Sequence, residues 1–118
     1  MSRKLIILIT SDKERYTCES KRLHDVDFLH SLTYLKSPER KSQPEDLLEW
    51  VIQTIEHLIK LEKLPRLSLI IKDKWLNSVL SDSTTFHVPK GMSRVQIIDY
   101  RQKLQTILEN HLVAWKIH

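Results

Sequence analysis

Two short apolar runs, "KLIILIT" (Lys4 to Thr10) and "RLSLII" (Arg66 to Ile71), bracket a long segment with a different hydrophobic period. Each run is unbroken and rich in β-branched residues, the pattern of a strand covered on both faces. Between them, Leu47, Leu48, Val51, Ile52, Ile55, Leu58 and Ile59 recur at helical spacing, with Glu49, Gln53, Glu56 and Lys60 largely opposite. A strand, an amphipathic helix and a second buried strand make a crossover unit. Its two strands pair in parallel, because the right-handed return over the sheet is the only favourable one.

The helix has its own start and stop signals. Ser42 with Glu45 forms a capping box, Pro44 suits the first turn, Glu45 and Asp46 complement the positive end of the helix dipole, and Pro65 ends it. Before the helix, "RYTCES" and Phe28 to Leu35 alternate in character. They read as two more strands, antiparallel to their sequence neighbours because the connections are short. After the second buried strand, "KWLNSVLSDS" is a short amphipathic helix with Trp75, Leu76, Val79 and Leu80 inward, and "TTFHV" (Thr84 to Val88) reads as an edge strand. Ser93 with Gln96 makes a second capping box and opens a final helix through Val95, Ile97, Ile98, Leu104, Ile107 and Leu108. The last eight residues either continue that helix or dock separately.

The expected order is therefore β-β-β-α-β-α-β-α. It describes a mixed α/β fold with a single five-stranded sheet and helices packed on it, as in ribonuclease-H-like and ribosomal-protein-like architectures. At 118 residues the chain suits one domain, 1–118. Gly91 is the only glycine, and it lies where the chain must turn from the edge strand into the last helix, a place for positive φ.

The single cysteine, Cys18, has no partner for an internal disulfide, and no leader-like stretch is present, which points to a reducing, cytoplasmic location. The longest apolar run is far below the roughly 20 residues that span a bilayer, so no membrane partner is expected. The net charge of +4 suits an anionic partner such as RNA. Basic residues collect in loops: Lys36, Arg40 and Lys41 before the first helix, Lys72 and Lys74 after the second buried strand, and Lys90 and Arg94 around Gly91. Because the two parallel strands end on the same side, Lys13 and Arg15 should adjoin Lys72 and Lys74. With Lys90 and Arg94 they form the candidate phosphate-binding set.

Candidate catalytic groups are few. Asp12, Glu49 and Asp73 stand at the end of strand one, on helix one and at the end of strand four. In a ribonuclease-H-like sheet, acids at such places can converge on two Mg²⁺ ions that activate water against a phosphate. The structural alternative gives Asp12 to a hairpin turn, Glu49 to a solvated helix face and Asp73 to the cap of the short helix. Six histidines are scattered without a close pair, one glycine cannot form a phosphate loop, and Ser31, Ser68 and Ser78 lack a nucleophile-elbow context. No metal or other cofactor is expected. Trp50, Trp75 and Trp115 sit at spacings that favour core or a protein interface over base stacking.

Three segments resemble bacterial host attachment proteins. "VPKGMSRVQIIDYRQKL" is similar to their C-terminal segment. "LIILITSDKERYTCES" is similar to their first hairpin, with Asp12 and Arg15 at matching places, and "RLSLIIKDKWLNSVLS" is similar to their later strand-turn-helix. The resemblance covers most of the chain and rests on residue classes. It implies kinship with the central domain of peptide-chain release factors, where a Gly-Gly-Gln loop precedes the first long helix. Here "KSPERKSQPED" holds no glycine, and Gln43 stands alone, so peptidyl-tRNA hydrolysis is not expected. The resulting expectation is a non-catalytic adaptor that binds RNA, the ribosome or a protein partner. The alternatives are a Mg²⁺-dependent nuclease and a protein-interaction module of the inhibitor or immunity type.

Overall fold

In the computed structural model, residues 4–36, 43–62, 66–81, 83–111 and 114–118 are described. The first apolar run forms β1 (Lys4–Ser11) and the alternating segment after it forms β2 (Arg15–Arg22), paired antiparallel from Leu5↔Arg22 to Ser11↔Tyr16. Asp12 closes the turn: its Oδ1 accepts from the Glu14 and Arg15 backbone N–H groups at 2.7 and 2.9 Å. β3 (His30–Leu35) pairs antiparallel with β2, putting Tyr34 opposite Tyr16. It begins two residues later than the alternation suggests, since Phe28 and Leu29 lie exposed ahead of it. α1 (Gln43–Glu62) then leads to β4 (Arg66–Ile71), which runs parallel to β1 in the register Leu5↔Leu67 to Ile9↔Ile71. The expected capping residue Ser42 and the stop residue Pro65 lie outside the described residues.

Two helices follow, α2 (Lys74–Leu80) and α3 (Arg94–Asn110), and then β5 (Ala114–Ile117), parallel to β4. The sheet order is β3-β2-β1-β4-β5. The five-stranded mixed sheet is as expected, but its fifth strand is not Thr84 to Val88. That stretch is irregular because side chains take its carbonyls before a ladder can. Trp75 Nε1 donates to the His87 carbonyl at 2.8 Å and Arg94 to that of Thr84 at 3.1 Å, while Arg101 holds the Ser83 carbonyl just ahead at 3.0 Å. Phe86 meanwhile lies under two guanidinium groups, those of Arg94 at 4.5 Å and Arg101 at 5.2 Å. The strand position goes to the last residues, where Trp115 and Ile117 alternate toward the core, so the element order is β-β-β-α-β-α-α-β.

The helices explain which face of the sheet is dry. Leu47, Leu48, Val51, Ile52, Ile55, Leu58 and Ile59 of α1, Leu76, Val79 and Leu80 of α2, and Ile97, Leu104 and Leu108 of α3 are buried together with Leu5, Ile7, Ile9, Leu67, Leu69 and Ile71. Side chains alternate across a strand, so all these strand residues share one face. Ile6, Leu8 and Ile70 point the other way and are only half-buried. On that face Ile6 stands opposite Lys21 and Leu8 opposite Glu19, and Ser68 lies between Ile6 and Lys116. β1 is therefore helix-covered on one face only, contrary to the reading of "LIILI" as a strand covered on both. The second face stays viable because its apolar centre is narrow and bordered by polar side chains. Cys18 belongs to the dry face and is fully buried; desolvation pushes its thiol up to about 12.

α3 opens with the capping box: Ser93 Oγ accepts from the Gln96 N–H at 3.2 Å, and Gln96 Oε1 accepts from the Ser93 N–H at 2.8 Å. Just before it, Gly91 has φ 92° in a turn closed by Met92 N–H to Pro89 C=O at 3.1 Å. A Cβ there would meet nothing within 4 Å, so a side chain would be opposed by the dihedral alone. Gly91→Val is expected to cost more than about 1 kcal/mol, and Gly91→Ala less, because a β-branched residue tolerates this region worst. Thermal unfolding checks it; a melting temperature unchanged by the valine would mean the turn can relax to negative φ without loss. Among the described residues no helix is long and apolar enough to cross a membrane.

Candidate nucleic-acid interface

Parallel strands deliver their carboxyl ends to the same edge of a sheet, and open α/β sheets place ligand sites there. In this chain the Lys72 N–H donates to the Ile9 C=O at 2.9 Å and Ser11 Oγ donates to Asp73 Oδ1 at 3.3 Å, which brings the β1–β2 turn beside the β4–α2 loop. Lys13 and Arg15 from the turn and Lys72 and Lys74 from the loop thus share one edge, all exposed. Arg15 stands 3.7 Å from Asp12 Oδ2, an exposed pair worth little in water. Lys36, at the end of β3, joins them: its Nζ donates to the Asp12 carbonyl and lies 4.6 Å from the Tyr16 ring centre. Arg40 and Lys41 lie outside the described residues. Lys90 is exposed in the Gly91 turn. Arg94 differs from the others in the set, since its guanidinium is spent on Phe86 and the Thr84 carbonyl and so holds the loop in place.

Behind this basic edge lies a cavity of about 270 Å³, lined by Tyr16 of β2, Tyr34 of β3, Lys36, Pro44 and Leu47 of α1, Trp75 of α2, and His87 and Pro89. The two tyrosines meet edge to face at 6.3 Å between ring centres, as their cross-strand register requires. Tyr34 is backed by Trp50 at 5.5 Å. Partial burial, and then the charge of Asp73, raise the Tyr16 phenol, which therefore remains a protonated donor throughout the physiological range. Trp75, read from the sequence as inward, is half-buried and packs against the core. Its indole N–H also reaches across to the His87 carbonyl, and its exposed side forms a wall of the cavity.

The three candidate acids have separate local roles. Asp12 is held by its own turn, and the backbone N–H groups of Glu14 and Arg15 hold its carboxyl below the usual range. Asp73 is the N-cap of α2: Oδ2 accepts from the Leu76 N–H at 2.9 Å. Glu49 is carried away from the sheet edge, toward α3, where its Oε1 accepts from the Tyr100 hydroxyl at 3.1 Å. Glu45 accepts from the same hydroxyl at 3.2 Å. Burial, followed by these two carboxylates, pushes the Tyr100 phenol strongly upward. Asp12 and Asp73 thus reach one edge and Glu49 does not. Among the described residues, no group of three or more His, Cys, Asp or Glu side chains could hold a metal ion. The histidines remain dispersed: His30 faces Glu62 at 3.3 Å, His24 sits in a turn at φ 78°, and His87 borders the cavity.

No family model and no curated protein matches the sequence. Solved structures match the fold. The N-terminal RNase H domain of a Mycobacterium tuberculosis protein, solved as a fusion with maltose-binding protein, aligns with a TM-score of 0.60 at 11% identity, over 97% of this chain and 84% of that one. RNase H1 from Halobacterium salinarum aligns with a TM-score of 0.58 at 10% identity, over 100% of this chain and 84% of that one. Thermus thermophilus RuvC aligns at 0.48 and 6% identity, over 97% of this chain but only 63% of its own, so this chain spans less than two thirds of that protein. Identities this low speak for architecture alone. With its mixed sheet in the order 3-2-1-4-5 and three helices packed on it, the chain has the RNase H-like fold.

Proposed function

We propose that the protein is a non-catalytic RNase H-like adaptor that binds RNA along the carboxyl edge of β1 and β4. The observation that carries this reading is the composition of that edge. Lys13, Lys72 and Lys74 are presented around two adjoining loops with Glu14 exposed among them, while Asp12 and Asp73 are committed to a turn and a helix cap. The cations outnumber the acids there, and among the described residues no group of three acids is placed to hold a metal ion. The similarity of the first hairpin and of Val88 to Leu104 to host attachment proteins, with their release-factor kinship, supports RNA, ribosomal RNA included, as the partner.

Counterion release provides the test. Each phosphate neutralised by a lysine steepens the fall of affinity with salt, so Lys72→Glu with Lys74→Glu is expected to weaken RNA binding at least about tenfold and to flatten the salt slope. The matched control reverses Lys4 and Arg66, which stand opposite each other at the amino ends of the same two strands. That double variant carries the same change in net charge and is expected to bind nearly as the wild type does. Equal losses from both would reduce the interaction to diffuse charge attraction, and absence of any RNA association at low salt would turn the reading toward a protein partner.

A further inference from the structure

We infer that the cavity behind the basic edge receives one unstacked nucleobase of a single-stranded RNA whose phosphates lie along that edge. This rests on the RNA-binding reading above and deepens it, by naming the form of RNA and the group recognised. Three observations lead to it. The walls are aromatic on several sides: Tyr16, Tyr34 and Trp75 come from three different elements. Flat rings favour other flat rings, and stacking of a base on such a platform is worth about 1–3 kcal/mol without regard to sequence.

Size agrees. A cavity of about 270 Å³ exceeds the ~150 Å³ that accommodates a single benzene ring, and it falls short of the roughly 300–1,000 Å³ typical of drug-sized ligands. One base, with part of its ribose, is the object of that scale. Charge agrees as well: Lys36, its ammonium over Tyr16, stands between the cavity and the lysines of the edge, where the phosphate attached to a seated base would pass. The wall is also held in place without a ligand. Trp75 ties His87, and Arg94 and Arg101 tie Thr84 and Ser83, so little ordering cost remains to oppose binding. A base inside a duplex is stacked and cannot reach a recessed cavity, whereas a splayed base can.

The test compares probes on the wild-type protein and then on one cavity variant. An oligouridylate of about ten nucleotides, the same ribose-phosphate strand lacking bases, and an RNA duplex of equal length are titrated at one salt concentration. The expected order places the oligouridylate about tenfold tighter than the abasic strand or the duplex. Tyr16→Val, valine being at home in a strand, is expected to weaken oligouridylate binding about tenfold and abasic-strand binding far less, since only Lys36 of the edge cations leans on the Tyr16 ring. Equal binding of the oligouridylate and the abasic strand, with the salt slope and the Lys72/Lys74 effect intact, would overturn the cavity and leave the basic edge standing. No binding of any probe would overturn both. If Tyr16→Val fails to fold, as judged by circular dichroism, the wild-type comparison of the two single strands decides the matter alone.

Discussion

Leu69→Ala is expected to lower the unfolding free energy by about 3 kcal/mol, and Ile70→Ala, one residue later, by about 1 kcal/mol. The two side chains are similar in volume and lie on the same strand, so their difference isolates the face they occupy. Leu69 is fully buried under the helices, between Ile7 on β1 and Ile117 on β5. Removing its isopropyl end loses transfer free energy and leaves a hole that the surrounding helices cannot close. Ile70 faces the side without helices and is already partly in water, so less surface returns to solvent and no closed cavity forms. Urea unfolding with an unchanged slope measures both. Equal losses at the two positions would mean that the second face is covered after all.

The second large effect is at Arg101. Its Nε donates to the Val79 carbonyl at 2.8 Å, and its Nη2 to the carbonyls of Ser78 at 3.1 Å and Ser83 at 3.0 Å. Val79 lies in the last turn of α2, where carbonyls have no partner within the helix and a cation also meets the negative end of the dipole. One half-buried guanidinium thus caps α2, anchors the following loop and stacks on Phe86. Arg101→Met keeps the length of the stem and removes the donors; it is expected to cost about 2–3 kcal/mol, since three partly buried acceptors lose a charged donor together. Arg101→Lys should recover only part of this, because an ammonium lacks the planar fork that reaches several carbonyls at once. Thermal denaturation of the three proteins gives the ranking, and a methionine variant as stable as the wild type would sink the capping role. If the ranking holds, Arg101→Met also loosens His87 and Pro89, two walls of the aromatic cavity.

Much of this architecture is legible in the sequence because it is written in local patterns. The change from continuous apolar runs to helical spacing between Ile9 and Leu67 locates the crossover, and parallel pairing of those runs forces Lys13 and Lys72 to the same edge. The roles of Asp12 in a turn and Asp73 at a helix N-terminus depend on neighbours within three residues, and so does the Ser93–Gln96 box. What was misread depends on distant partners. Thr84 to Val88 has strong strand composition, yet Trp75 and Arg94 claim two of its carbonyls and Arg101 holds Ser83 just before it. "AWKI" has only four residues in which to show alternation. The cavity was missed for the same reason: its walls come from two strands, two helices and a loop, and only the Tyr16↔Tyr34 register offered a hint. Arg101 carried no sequence signal at all, being one more cation on a helix.

The central place of β1 has a consequence for the order in which the chain can assemble. Its pairing with β2 needs only a tight turn, whereas its pairing with β4 joins residues about 60 positions apart in sequence, such as Leu5 and Leu67, after α1 has crossed the sheet. The hairpin therefore closes early, and the far side of β1 waits, its N–H and C=O groups unpaired along one of the most apolar stretches of the chain. A waiting edge of this kind invites pairing with another copy. Lys4 at one end of the strand and the Asp12–Lys13–Glu14 turn at the other place charges on both flanks of that stretch, as gatekeepers do. The residues that keep the early hairpin from sticking to its copies thus include Lys13, one of those that give the finished sheet its basic edge.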